Sequence, residues 1–180
     1  MQSVTFITGN QNKANYLNEY LNHPIAHKKL DLVEIQSMDL REVVEYKAKE
    51  AYSIIKSPVL VDDVSVEFEA LGGMPGPFIK FMLQAMSYEE ICRLFDGKSR
   101  KAYATCIYGY YDGKSFEIVQ GHLYGSIADK PEGENGFGWD KIFIVDGDTK
   151  PRATLNKDEY LPTMMLIRPL NKLKKLLERS

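Results

Sequence analysis

Scarcity is the first guide to this chain of 180 residues. It has two cysteines, Cys92 and Cys106, too few and too far apart for a disulfide framework or a zinc site. They read as core thiols in a reducing compartment. Of its three histidines, His23, His27 and His122, none has metal-ligand spacing or a nucleophile partner, and His23 and His27 read as surface residues. No basic surplus exists: 23 Lys and Arg meet 25 Asp and Glu, a formal charge of -2. That balance argues against a nucleic-acid surface, though a few lysines suffice to hold phosphate locally. No long apolar run offers a membrane span, and Met1-Gln2-Ser3-Val4 opens without a basic region and apolar stretch. A cytoplasmic protein without membrane attachment is expected. Repeats, low-complexity tracts and flexible linkers are also missing.

What is present has ordinary soluble composition, and the length predicts a single domain over 1–180. Residues 3–8 favour a strand, and Gly9-Asn10 turns the chain into a helix from about 12 to 22. Ala14, Leu17 and Leu21 give that helix one apolar face. Residues 30–35 read as a second strand, about 43–56 as a second helix with Val44, Ala48, Ala51 and Ile55 inward, and 58–61 as a third strand. This β-α-β-α-β order predicts an α/β fold, a mixed or parallel sheet flanked by helices. Phe78 to Ala85 reads as helix, and Ser87-Tyr88-Glu89-Glu90 has capping-box spacing for another through Phe95. Residues 101–111 and 115–124 flank Asp112-Gly113-Lys114 and predict a hairpin. Long hairpin strands beside a layered core point to two lobes with a central cleft. Pro151 and Pro162 interrupt the next stretch, and a last helix begins near Pro169 with Leu170, Leu173, Leu176 and Leu177 as its buried stripe.

Three segments carry candidate chemistry. In Thr8-Gly9-Asn10-Gln11-Asn12-Lys13, a strand, a glycine turn and a helix start place backbone N–H groups where an anion can sit, and Lys13 adds charge. An ordinary α/β turn has the same composition. Val59-Leu60-Val61-Asp62-Asp63 reads as a buried strand ending in two carboxylates, whose crowding calls for a cation. Magnesium takes such oxygen ligands and completes its shell with water and phosphate, and a nearby carboxylate can draw a proton from water. A solvated turn or a helix cap is the plainer reading. In Phe137-Gly138-Trp139-Asp140, aromatics around a glycine can stack on a base while Asp140 bonds its edge; a place in the core is the alternative. Lys141, Lys157, Arg152 and Arg168 can meet phosphate, though scattered basic residues are usually solvated.

Taken in order, these segments resemble the inosine triphosphate pyrophosphatase family over nearly the whole chain. The resemblance rests on Thr8-Gly9-Asn10 with Lys13, on Val59 to Asp63, on Ala70-Leu71-Gly72-Gly73-Met74-Pro75-Gly76-Pro77-Phe78-Ile79-Lys80, and on Phe137 to Asp140. It implies an elongated α/β protein with a central cleft, commonly a homodimer. It also implies magnesium-dependent splitting of a nucleoside triphosphate into monophosphate and pyrophosphate, manganese being a substitute cation. By position, Lys13 and the Thr8-Gly9-Asn10 turn would hold phosphate, and Asp62 or Asp63 would bind the cation and activate water. Phe137, Gly138, Trp139 and Asp140 would form part of the base pocket. Departures are specific. Tyr16 stands where the family has a metal-binding glutamate, leaving Glu42 as the further acidic ligand. Tyr160-Leu161 and Met164-Met165-Leu166 replace a lysine-asparagine pair and a serine-histidine-arginine triplet that contact phosphate and the purine carbonyl. Altered base specificity is the expectation. A catalytically inactive homologue that binds a nucleotide or a protein partner is the alternative.

Overall fold

The computed structural model describes residues 4–21 and 25–179; Ser3, Asn22 and His23, which enter the expectations above, lie outside them. The elements run β1 (Thr5–Ile7), α1 (Gln11–Leu21), β2 (Ala26–Lys28), α2 (Leu40–Ile55), β3 (Val59–Phe68), β4 (Pro75–Gly76), α3 (Ile79–Ala85), α4 (Tyr88–Arg93), β5 (Lys101–Tyr111), β6 (Phe116–Ile127), β7 (Phe143–Val145), α5 (Lys157–Ile167) and α6 (Leu170–Arg179). The sheet order is β2-β1-β3-β5-β6-β7, with β4 paired to β3. β1 is parallel to β2 and β3, whereas β3–β4 and β6–β7 are antiparallel. This is the expected mixed α/β sheet flanked by helices. By compactness the chain forms two units. One comprises Met1–Asp63, Cys106–Gly121 and Arg168–Ser180, and the other Val64–Thr105 and His122–Ile167.

The first unit is built on α2. Asp39 caps it by accepting hydrogen bonds from the Arg41 and Glu42 N–H groups at 2.8 and 3.4 Å. The helix therefore starts at Leu40, three residues earlier than its apolar stripe predicts. Leu40, Val44, Ala48 and Ala51 recur at helical spacing and pack against Ile7, Val59, Val61 and Ile107. Each large aliphatic group buried there contributes on the order of 1.5–3 kcal/mol. Gly109 on β5 permits the approach: a Cβ there would lie 2.5 Å from Val44 Cγ1 and 2.9 Å from Phe116 Cε2. α6 buries the predicted Leu170, Leu173, Leu176 and Leu177 and is tied to α1 by Tyr20 Oη, which donates to Asn171 Oδ1 at 2.8 Å.

Three expectations change. β3 does not stop at Val61 but continues to Phe68, so Asp62 and Asp63 lie inside a strand rather than at its mouth. The second strand is Ala26–Lys28, not 30–35; Leu30 and Leu32 pack against the core from irregular backbone. Pro162 lies within α5 instead of interrupting it. Asn156 Oδ1 accepts from the Asp158 and Glu159 N–H groups, while its own N–H donates to Glu159 Oε2. That reciprocal cap fixes the first turn, so the helix tolerates one absent donor farther along.

The second unit holds the capping box at Ser87 and Glu90 in both directions, 3.2 and 2.8 Å. Its core includes edge-on pairs Phe68–Phe95 and Trp139–Phe143, each with ring centroids 5.1 Å apart. Cys92 in this unit and Cys106 in the first are both buried free thiols.

Candidate functional site

The strand geometry of β3 separates the two aspartates. Successive side chains on a strand point to opposite faces, so Asp62 and Asp63 meet different partners. Asp62 is nearly solvent-free, with a side chain 3% exposed. Its Oδ2 accepts from Lys13 Nζ at 2.8 Å and from Arg168 Nη1 at 3.2 Å. Burial pushes this carboxyl upward, but the two cations outweigh it and hold it below the usual carboxylate range. Asp62 is therefore a fixed negative charge. Arg168 also donates to Tyr108 Oη at 2.8 Å, and burial drives that phenol well above its ordinary value.

Asp63 accepts from Lys47 Nζ at 2.7 Å, and the same ammonium lies 3.5 Å from Glu34 Oε1. Burial works to lower the Lys47 pKa, yet Asp63 with Glu34 raises it above the ordinary lysine value. Two carboxylates thus converge on one ammonium. Lys47 and Glu34 escape a reading of the sequence because neither belongs to a local motif. Lys47 comes from the middle of α2 and Glu34 from the irregular stretch before it. Lys47 does not stand out on α2, which also carries Arg41, Glu42, Glu45, Lys49 and Glu50.

The first turn of α1 behaves as a cap. Thr8 Oγ1 accepts from the Asn10 N–H at 3.1 Å, and Asn10 Oδ1 accepts from the Lys13 N–H at 3.2 Å. Gly9 leaves room for the aliphatic stem of Lys29, whose Cδ would lie 3.3 Å from a Cβ at that position. Tyr16, on the same helix, has its phenol pushed up by burial and partly restrained by Arg168.

The further ligand Glu42 is placed elsewhere. It is exposed in the first turn of α2, where its Oε2 accepts from Ser37 Oγ at 2.6 Å. Among the described residues no group of three His, Cys, Asp or Glu side chains is arranged to hold a metal ion, so Glu42, Asp62 and Asp63 do not form one ligand set. The opposite-facing aspartates are the reason. Magnesium asks for less, one or two carboxylates with water and substrate phosphate. Glu34 and Asp63, already converging on Lys47, fit that donor set.

In the second unit the Phe137-Gly138-Trp139-Asp140 segment begins a short helical turn at Gly138. Phe137 is exposed, while Trp139 and Asp140 are buried. Asp140 Oδ1 pairs with Arg152 Nη1. Its Oδ2 accepts from Tyr160 Oη at 2.8 Å and from the Phe137 N–H at 3.0 Å. Arg152 also donates from Nε to Thr163 Oγ1 at 3.2 Å, and its guanidinium lies 5.1 Å from the Trp139 ring and 4.5 Å from the Tyr160 ring. Arg152 and Arg168 are thus buried ion-pair partners, not solvated cations.

A family model described as the Ham1 family matches residues 4–175, a span that includes every residue named in these two clusters. The chain belongs to the Ham1 family. Among Ham1-related sequences, inosine triphosphate pyrophosphatase 2 of Trypanosoma cruzi (strain CL Brener) is 42% identical over 147 residues, covering 79% of this chain and 75% of that one. Inosine triphosphate pyrophosphatase of Scheffersomyces stipitis is 35% identical over 193 residues, covering 98% of each. The HAM1 protein of Coxiella burnetii matches over 100% of both chains with a TM-score of 0.86 at 23% identity, a likeness of fold. Among the described residues of this Ham1 protein, no helix is long and apolar enough to cross a membrane.

Proposed function

We propose that the chain hydrolyses a nucleoside triphosphate to the monophosphate and pyrophosphate. The observation that carries this reading is the paired charge array of the first unit, Lys13–Asp62–Arg168 beside Glu34–Lys47–Asp63. Membership of a family whose relatives bear the name inosine triphosphate pyrophosphatase supports it.

Roles follow from burial and charge. Lys13, with 28% of its side chain exposed, is the cation of its cluster within reach of solvent, and it binds phosphate oxygens as a point charge. Asp62, itself held by Arg168, keeps it aimed. Asp63, 26% exposed, takes the proton of the attacking water; Asp62 is unsuited because its side chain is only 3% exposed and its Oδ2 is held by both Lys13 and Arg168. Lys47 orients Asp63 and stabilises charge that accumulates on the phosphates. Glu34 and Asp63 would hold magnesium or manganese, a cation that would withdraw charge from the phosphate oxygens. In the step itself, water oxygen bonds to phosphorus, the anhydride bond between the first and second phosphates breaks, and the water proton passes to Asp63.

The test is a panel of standard and deaminated nucleoside triphosphates with magnesium or manganese, with pyrophosphate and inorganic phosphate measured separately. Pyrophosphate release in step with monophosphate is expected. Calorimetric binding without turnover would instead establish the alternative, a nucleotide-binding homologue that has lost catalysis.

A further inference from the structure

Asp62 Oδ2 is one oxygen with two cationic donors, and they hold it unequally. Lys13 Nζ stands at 2.8 Å and Arg168 Nη1 at 3.2 Å. Arg168 is drawn the other way, since the same Nη1 donates to Tyr108 Oη at 2.8 Å. This guanidinium nitrogen carries two N–H bonds fixed in one plane, so one meets the phenol and the other the carboxylate. A relay results, from Tyr108 Oη through Arg168 Nη1 and Asp62 Oδ2 to Lys13 Nζ, all within the first unit.

The relay is buried at one end and open at the other. Tyr108 is 2% exposed, and the Arg168 and Asp62 side chains 9% and 3%, against 28% for Lys13. Its buried end is anchored in regular structure. Tyr108 lies on β5, the neighbour of the β3 strand that carries Asp62. Arg168 directly precedes α6: its carbonyl accepts from the Leu170 N–H at 2.8 Å, and the Pro169 carbonyl accepts from the Leu173 N–H at 3.0 Å. The guanidinium carbon is 6.0 Å from the Tyr108 ring centroid, the outer limit of a cation–π contact, so the hydroxyl is the principal hold.

Without that hydroxyl, Nη1 would close on Asp62. Guanidinium and carboxylate favour a short two-point pairing, and such a pairing would take Oδ2 from Lys13. Lys13 is the member that gives way, because it alone reaches water. An ammonium released from its anchor must then be ordered by the phosphate it binds, which weakens binding.

We propose that Tyr108 is a positioning residue for phosphate binding: by holding Arg168 back from Asp62, it leaves Oδ2 to aim Lys13. This inference rests on the phosphate role given to Lys13 above and adds what sets its placement. Asp63 stands outside the relay, held by Lys47.

Its test uses the wild type, Tyr108→Phe, Lys13→Met and the double variant. Affinity for inorganic pyrophosphate is measured by calorimetry, and kcat and KM with inosine triphosphate and magnesium. Tyr108→Phe is expected to weaken pyrophosphate binding by about tenfold, the lower end for one hydrogen bond to a charged group. KM should rise by a similar factor while kcat falls less than about threefold, since the base is untouched. In the Lys13→Met background the same substitution should change pyrophosphate affinity less than about twofold. The urea midpoint, by contrast, should fall in both backgrounds, because Arg168 loses a buried acceptor in each. Arg168→Met with and without Tyr108→Phe forms a second pair, in which the phenol has nothing to act through and pyrophosphate should bind equally. A folded Tyr108→Phe with unchanged pyrophosphate affinity, an equal loss with and without Lys13, unequal binding in the Arg168→Met pair, a fall confined to kcat, or a wild type that binds no pyrophosphate would overturn the proposal. A Lys13-dependent loss of pyrophosphate affinity in a protein that turns over no nucleotide would uphold it while removing the hydrolytic reading.

Discussion

Removing the carboxylate of Asp62 should unbalance the first unit, and Asp62→Ala predicts by how much. Arg168 and Lys13 share that carboxylate, but unequally in exposure: the arginine side chain is 9% exposed and the lysine 28%. Once Asp62 is gone, Lys13 can turn to water, so its share is about 0–1 kcal/mol. Arg168 cannot. It keeps one bond to Tyr108 and remains a buried cation without a counter-ion, which costs about 3–5 kcal/mol. Against a total stability of roughly 5–15 kcal/mol this is about a fifth or more. Urea unfolding followed by circular dichroism would show it as a midpoint lowered by about 1.5–2.5 M, for a slope near 2 kcal/mol per M. Replacing both partners, Asp62→Ala with Arg168→Met, should cost well below the sum of the single changes. An Asp62→Ala loss under about 1 kcal/mol, or strict additivity in that cycle, would refute the reasoning.

Further outcomes follow from the same contacts. The folded-state pKa of Asp62 is depressed below 3.8, so its stabilisation is complete above that value and fades as pH falls through the lower folded value. Acid unfolding of Asp62→Asn should accordingly depend less steeply on pH. Lys47 has the opposite sign: raised above 10.5, it contributes fully below 10.5 and loses its contribution as pH climbs through the raised value, which Lys47→Met should abolish in alkaline melts. Arg152→Met should cost about 3–5 kcal/mol by leaving Asp140 buried without its cation, measured by urea unfolding. Gly109→Ala should cost about 1–3 kcal/mol by overpacking against Val44, with a proportionate fall in Tm.

The sequence made the layered architecture legible where periodicity and capping agreed. The α6 leucines, the α2 stripe and the Ser87 box each combine a local signal with its tertiary outcome. Strand limits were harder, because β2 is defined by pairing with β1 in the register Thr5↔Ala26 and not by its own composition. The leucines at 30 and 32 carry an inward alternation without a ladder partner. For the site, local motifs marked Lys13, Asp62, Asp63 and Asp140, all of which lie in charged clusters. Their partners are distant in sequence: Arg168 is 106 residues from Asp62 and Lys47 is 16 from Asp63. No spacing rule reaches such pairs, and burial is what converts Arg152 and Arg168 from scattered charges into structural ones.

Asp63 is the centre of the catalytic account, and Asp63→Asn tests it most directly. The variant keeps the shape of the side chain and one acceptor while losing the base. With magnesium and a nucleoside triphosphate turned over by the wild type, pyrophosphate release should fall by about 10²–10⁴-fold, and nucleotide binding measured by calorimetry should persist. Undiminished pyrophosphate release by folded Asp63→Asn would contradict the account.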